Sequence, residues 1–161
     1  MKRFGSAIGA LALAALVVGT ATAGTSLKPV AFTAKYSGTA SAKVSDQVAD
    51  ISANGTGTGT LLGTSTITGQ GKGDASAQPC VPFTGPGSMV GAKGTKLLFT
   101  VIAGSQGCGD EGGHVFSVSG KAKVTGGSGK LAKARGTLKF TGVFDRDQGT
   151  FSVKFSGKLT A

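Results

Sequence analysis

The sequence predicts an all-β protein: a single antiparallel barrel of about eight strands, with a β-sandwich as the alternative and a signal-peptide helix in front. Three observations carry that prediction. Apolar and polar residues alternate with a period of two through the carboxy-terminal half. Glycine supplies 29 of 161 residues, more than twice the usual share of about 7%. No window outside the first two dozen residues shows a helical period. Glycine is costly inside helices but useful in turns and bulges, and the absence of a strict triplet period excludes collagen. Seven to nine strands at spacings near ten residues, with short local connections, favour an up-and-down order. A barrel also removes the exposed edges that make an exported sheet prone to aggregation.

The amino terminus reads as an address. Lys2 and Arg3 precede an apolar run from Ile8 to Val18, too short to span a bilayer, and Ala21-Thr22-Ala23 offers a small-x-small cleavage pattern. Residues 1–23 are expected to be removed, leaving 24–161 as one all-β domain. The net charge would then fall from +10 to +8 by loss of Lys2 and Arg3. No later segment is apolar enough to span as a helix, so the expectation is a secreted or cell-envelope-associated protein without a transmembrane span. In that compartment Cys80 and Cys108 have one possible pairing, and a disulfide is the natural reading; a catalytic or metal-binding thiol is the alternative. Pro79 and Pro82 flank one cysteine, and Gly107 and Gly109 flank the other.

The strands follow in order. Val30, Phe32, Ala34 and Tyr36 alternate well. Residues 42–72 are mostly threonine, serine and glycine, with Val44, Val48, Ile51, Leu61, Leu62 and Ile67 as apolar marks. They predict two or three strands, with Asn54-Gly55 as a tight turn and at most one helical turn within 41–50. Residues 82–91 predict another strand. Around Leu97, Phe99 and Val101, the interleaved Leu98 and Ile102 predict a central strand that is apolar on both faces. Phe116, Val118, Ala122 and Val124 alternate with Ser117, Ser119, Lys121 and Lys123. Leu138, Phe140 and Phe144, then Phe151, Val153, Phe155 and Leu159, form a hairpin around the polar turn Asp145-Arg146-Asp147-Gln148-Gly149.

Between the last two of these units lies Gly126-Gly127-Ser128-Gly129-Lys130-Leu131-Ala132-Lys133-Ala134-Arg135-Gly136. Its glycines suit a tight turn, Leu131 can plug a barrel end, and Ala132 and Ala134 leave room for close packing. The segment resembles the GGTGxFxxARG stretch of dirigent proteins and the related allene oxide cyclases, through Gly126, Gly127, Gly129, Arg135 and Gly136. Ser128 replaces the usual threonine and Leu131 the usual phenylalanine. The resemblance covers this segment closely and the last three strands loosely. Secreted bacterial proteins with this glycine- and threonine-rich pattern are similar over most of the mature length. It implies an eight-stranded antiparallel barrel of calycin type. None of the family's catalytic acids and bases can be matched here, so the segment reads as architecture.

Four further features invite chemistry. Asp110, Glu111 and His114 form the densest polar cluster, holding the only histidine and the only glutamate; they read as part of a metal site or acid/base pair, or as a solvated loop. Structural zinc would need ligands that are not in reach in the sequence, and Asp145 and Asp147 fall short of the calcium-loop pattern. The glycine runs at 55–59 and 69–73 lie among strands, not before a helix, which argues against a phosphate cradle. Lys121, Lys123, Lys139, Lys154 and Lys158 share the polar face of three consecutive strands, forming either a positive patch for anionic envelope polymers, lipid head groups or acidic substrates, or a solvated face. Export and scarce aromatics on that face disfavour nucleic acid.

No cofactor is implied. The expected role is non-enzymatic binding or structure, with an apolar small molecule as the other partner class. The alternative is a small lyase or isomerase of the cyclase and dirigent kind acting inside the barrel. The two make different demands on the lumen. An enzyme needs an open cavity with a few convergent polar groups, and an open pocket bearing Asp or Arg would favour it, whereas Phe116, Phe140 and Phe155 closing the lumen would favour the first.

Overall fold

Alternation places every second side chain on one face of each strand, and a sheet of such strands buries that face by curling on itself. In a computed structural model, which describes residues 28–161, nine strands do this: β1 Pro29–Ser45, β2 Val48–Gly59, β3 Gly63–Asp74, β4 Cys80–Gly91, β5 Lys96–Val101, β6 Gln106–Gly109, β7 Val115–Ser128, β8 Arg135–Asp145 and β9 Thr150–Thr160. All pairings are antiparallel, and β1 pairs with β9 to close an eight-strand barrel with one extra strand. The sandwich alternative is thereby replaced by a closed sheet. The expected leader, residues 1–23, lies outside the described residues.

Nine strands fill eight positions because β5 and β6 share one. β4 pairs with β5 through Gly85–Val90 and with β6 through Cys80–Pro82, and β7 spans the same two partners. Residues 102–105 bulge out between them. Ser105 is buried there; its hydroxyl donates to the Ile102 carbonyl at 2.8 Å and accepts the Lys121 N–H at 3.1 Å. Up-and-down order therefore holds around the whole barrel, with one interrupted strand. Cys80 and Cys108 face each other across β4 and β6 and form the disulfide.

Three sequence expectations are corrected. Asn54-Gly55 lies in the middle of β2, paired with Thr39 and Gly38. A Cβ at Gly55 would come within 2.9 Å of the Phe151 ring, so this glycine serves close packing. The β1–β2 turn is made instead by Asp46 and Gln47, both with positive φ (49° and 67°), as a two-residue primed hairpin turn requires. Residues 41–50, where one helical turn was allowed, are the end of β1, that turn and the start of β2, because hairpin pairing satisfies their backbone groups. Leu98 and Ile102 do not make a second buried face: Leu98 points outward at 40% exposure, and Ile102 lies in the bulge. In a closed barrel the outer face of every strand meets solvent.

One end of the barrel is shut. The segment 126–136 forms the end of β7, a short 3-10 turn over Gly129–Leu131, and the start of β8. Thr125 and Gly126 together oppose Leu98, a bulge that turns β7 across the barrel end, and Gly126, Gly129 and Gly136 have φ of 144°, 59° and 150°. Leu131 and Ala134 are fully buried beneath, packed with Phe32, Leu97, Leu138 and Leu159. Leu131 is thus the plug expected of it. Ala132 is exposed and contributes no packing.

Candidate functional site

The other end is open. Its rim is made by the β1–β2 turn, residues 75–79, residues 110–114 and the 146–149 turn. Below it lies a cavity of about 240 Å³. Alternation puts Phe, Val, Leu and Ala on the inner face, but the glycines that share that face decide the space. Along β1 to β4 many inward positions toward the mouth are small, Ala40, Ala42, Ala53, Gly69, Gly71 and Gly85, with Val44, Ile51, Val81 and Phe83 as the larger exceptions. From β5 round to β9 they are mostly large: Phe99, Phe116, Phe140, Phe144 and Phe151 face the cavity across from that wall, with Gly107 on β6 the small exception. The lumen is therefore half filled. Phe140 and Phe155 form its floor, with ring centroids 5.7 Å apart, and Phe116 stands in the wall beside Phe144 at 6.1 Å.

Tilted ring pairs continue the floor, Phe99–Phe155 at 5.7 Å and Phe83–Phe140 at 6.2 Å, a spacing favoured by ring quadrupoles. Tyr36 closes it from the small wall, its ring edge-on to Phe155 and its hydroxyl 2.8 Å from the Ser65 hydroxyl. Burial pushes the Tyr36 phenol above its ordinary pKa, partly opposed by the Ser65 hydrogen bond. Gly69 is the widest gap: a Cβ built there meets nothing within 4 Å. The lining's polar groups are few, mainly Ser41, Gln70, Gln78 and Thr84, and Arg146 is its one ionisable residue.

The polar cluster sits on the rim. His114 Nδ1 lies 2.8 Å from an Asp147 carboxylate oxygen, and the His114 N–H donates to Asp110 Oδ1 at 2.8 Å. That second bond is the main reason the Asp110 carboxyl is held below its usual range. The Arg146 N–H in turn donates to the His114 carbonyl at 2.8 Å. So the partner of His114 comes from the β8–β9 turn, and the two loops are clasped together. Glu111 lies in the exposed part of the same loop. Among the described residues, no group of three or more His, Cys, Asp or Glu side chains is placed to hold a metal ion. Asp145 accepts the Gln148 N–H at 2.8 Å inside its own turn.

All five predicted lysines are exposed on the outer wall of β7, β8 and β9. Lys121 pairs directly with Lys139, and β1 adds Lys35, paired directly with Lys154. The glycine motif residues all lie at the shut end, away from the cavity; Arg135 there donates from Nη1 to the Ala134 carbonyl at 2.7 Å. No helix among the described residues is long and apolar enough to cross a membrane. The chain matches no protein-family model, no curated protein and no solved structure.

Proposed function

We propose that the protein is exported and binds a small, uncharged apolar molecule in the open half of its barrel, without transforming it. The observation that carries this reading is the shape and chemistry of the cavity: shut below by Leu131 and the Phe140–Phe155 floor, walled by phenylalanine and glycine, and open at one rim. Eight-stranded barrels are just wide enough to hold one small ligand. A cavity of about 150 Å³ takes a benzene ring, so 240 Å³ suits a molecule of roughly ten carbons. The disulfide and the leader-like amino terminus support export.

The open cup and Arg146 meet part of what the lyase alternative requires. Such chemistry also needs a proton acceptor or donor within reach of the substrate. A guanidinium offers hydrogen-bond donors and no acceptor, and the lining holds no carboxylate or imidazole beside Arg146. Binding is the reading that the residues support.

The rim sets the ligand's charge. All seven carboxylates of the chain (Asp46, Asp50, Asp74, Asp110, Glu111, Asp145 and Asp147) lie in the rim loops or the strand ends that feed them. Lys43, Lys72 and Arg146 offset them only in part, so an anionic head group would be repelled. Naphthalene should bind, read by its fluorescence anisotropy, and 2-naphthoate should bind several-fold more weakly at pH 7. Gly69→Leu places a side chain in empty space. It should weaken naphthalene binding about tenfold or more without lowering the melting temperature. Equal affinity in Gly69→Leu and wild type would remove the cup as the site.

A further inference from the structure

The outer wall carries an arrangement that a sheet optimised for stability would avoid. Like charges directly opposite across antiparallel strands repel, with Cβ atoms about 5 Å apart. Here there are two such pairs, Lys35 with Lys154 and Lys121 with Lys139. Lys139 and Lys154 are diagonal neighbours, since Lys154 pairs with Thr141, two residues along β8. Together the four lysines make a row across β1, β9, β8 and β7, about 14 Å long at the usual strand spacing. Among the described residues the ion pairs are Lys72–Asp50 and His114–Asp147, so no carboxylate neutralises this row.

The carboxylates are elsewhere by design of the fold. Among the described residues, every cation except Lys43, Lys72 and Arg146 lies on the waist or the shut end, and every acid lies at the rim. A surface kept soluble by charge mixes the two signs. This one separates them, leaving one wall that attracts polyanions and a rim that repels them. At the centre of the row, Lys35, Lys139 and Lys154 border a surface depression whose other walls include the hydroxyls of Thr58, Thr141 and Ser156. None of the exposed large apolar side chains lies in it. A bilayer surface gains affinity from inserted apolar groups, and single-stranded nucleic acid from aromatic stacking. Phe140 and Phe155 border the depression but are buried, with their rings packed in the lumen, so neither is presented to a partner. Ammonium groups matched to carboxylate or sulfate, and hydroxyls matched to sugar hydroxyls, fit an acidic polysaccharide.

We propose that the row Lys35–Lys154–Lys139–Lys121 is a docking site for an acidic polysaccharide, holding the barrel by its wall with the mouth left free. The site is independent of the cup. Polygalacturonate is the probe, with dextran, oligothymidylate and phosphatidylglycerol vesicles as comparisons. The protein should bind polygalacturonate with an affinity that falls as salt rises. Lys139→Gln and Lys154→Gln should each weaken it about two- to fivefold. Both variants should also raise the melting temperature in the absence of polymer, because each removes a like-charge pair. A purely structural role for these lysines cannot give that opposed pair of changes. Gly69→Leu should bind the polymer as wild type does. Equal binding to dextran, tighter binding to oligothymidylate or vesicles, or an affinity that neither lysine variant moves would overturn the proposal.

Discussion

A side chain at position 69 would face open space, whereas one at position 87 would sit inside the Phe99 ring and one at position 120 would overlap Ser105. Glycine thus plays two parts on the inner face. At some positions it lets a large neighbour fill the lumen; at Gly69 it leaves the lumen empty. Leu131 does the opposite work at the far end, where one fully buried side chain seals the barrel. Leu131→Ala should cost about 2–5 kcal/mol, the range for deleting a buried leucine side chain. Urea unfolding measures it, and a loss under 1 kcal/mol would mean that the shut end is not held by this plug.

At the scale of elements, the weak point is the shared position of β5 and β6. β6 is four residues long and follows a bulge, so its pairing with β4 and β7 competes with little local order. The Cys80–Cys108 bond fastens it across a sequence separation of 28. Loop-closure entropy assigns such a crosslink about 3–4 kcal/mol. Replacing both cysteines by alanine should lower stability by about that amount and speed amide exchange in Gln106–Gly109 before the rest of the sheet. Uniform acceleration across all nine strands would show instead that β6 opens only with the whole barrel.

For the molecule as a whole, closure and charge separation set the response to pH. Asp74 is held below the usual carboxylate range chiefly by the Ser76 hydroxyl, and Asp110 chiefly by the His114 N–H. Both pKa values are lower folded than unfolded, so the stabilisation is present above the ordinary carboxylate pKa and lost as pH falls through the lowered values. Tyr36 has the reverse sign. Burial raises its pKa, so its contribution is complete below about pH 10 and lost as pH rises through the raised value. Stability measured by denaturant should therefore be flat between these limbs, with Asp110→Asn reducing the acid limb and Tyr36→Phe the alkaline one. Limbs unchanged in both variants would mean that other groups carry the pH dependence.

Period-two alternation, with abundant glycine and short connections, was enough to predict an antiparallel barrel, its last hairpin and the Leu131 plug, because each rests on neighbours within one strand or turn. The disulfide was equally legible, since two cysteines allow one pairing. Other features depended on residues far apart in the chain. Asn54-Gly55 carries a strong local turn signal that packing against Phe151 overrides. The His114–Asp147 clasp joins two different turns, and Lys35 joins the basic row only because β1 closes on β9. The cup itself arises from glycines on one wall facing phenylalanines on the other. Local alternation determines which face of a strand turns inward; only closure of the sheet brings two inward faces together and leaves space between them.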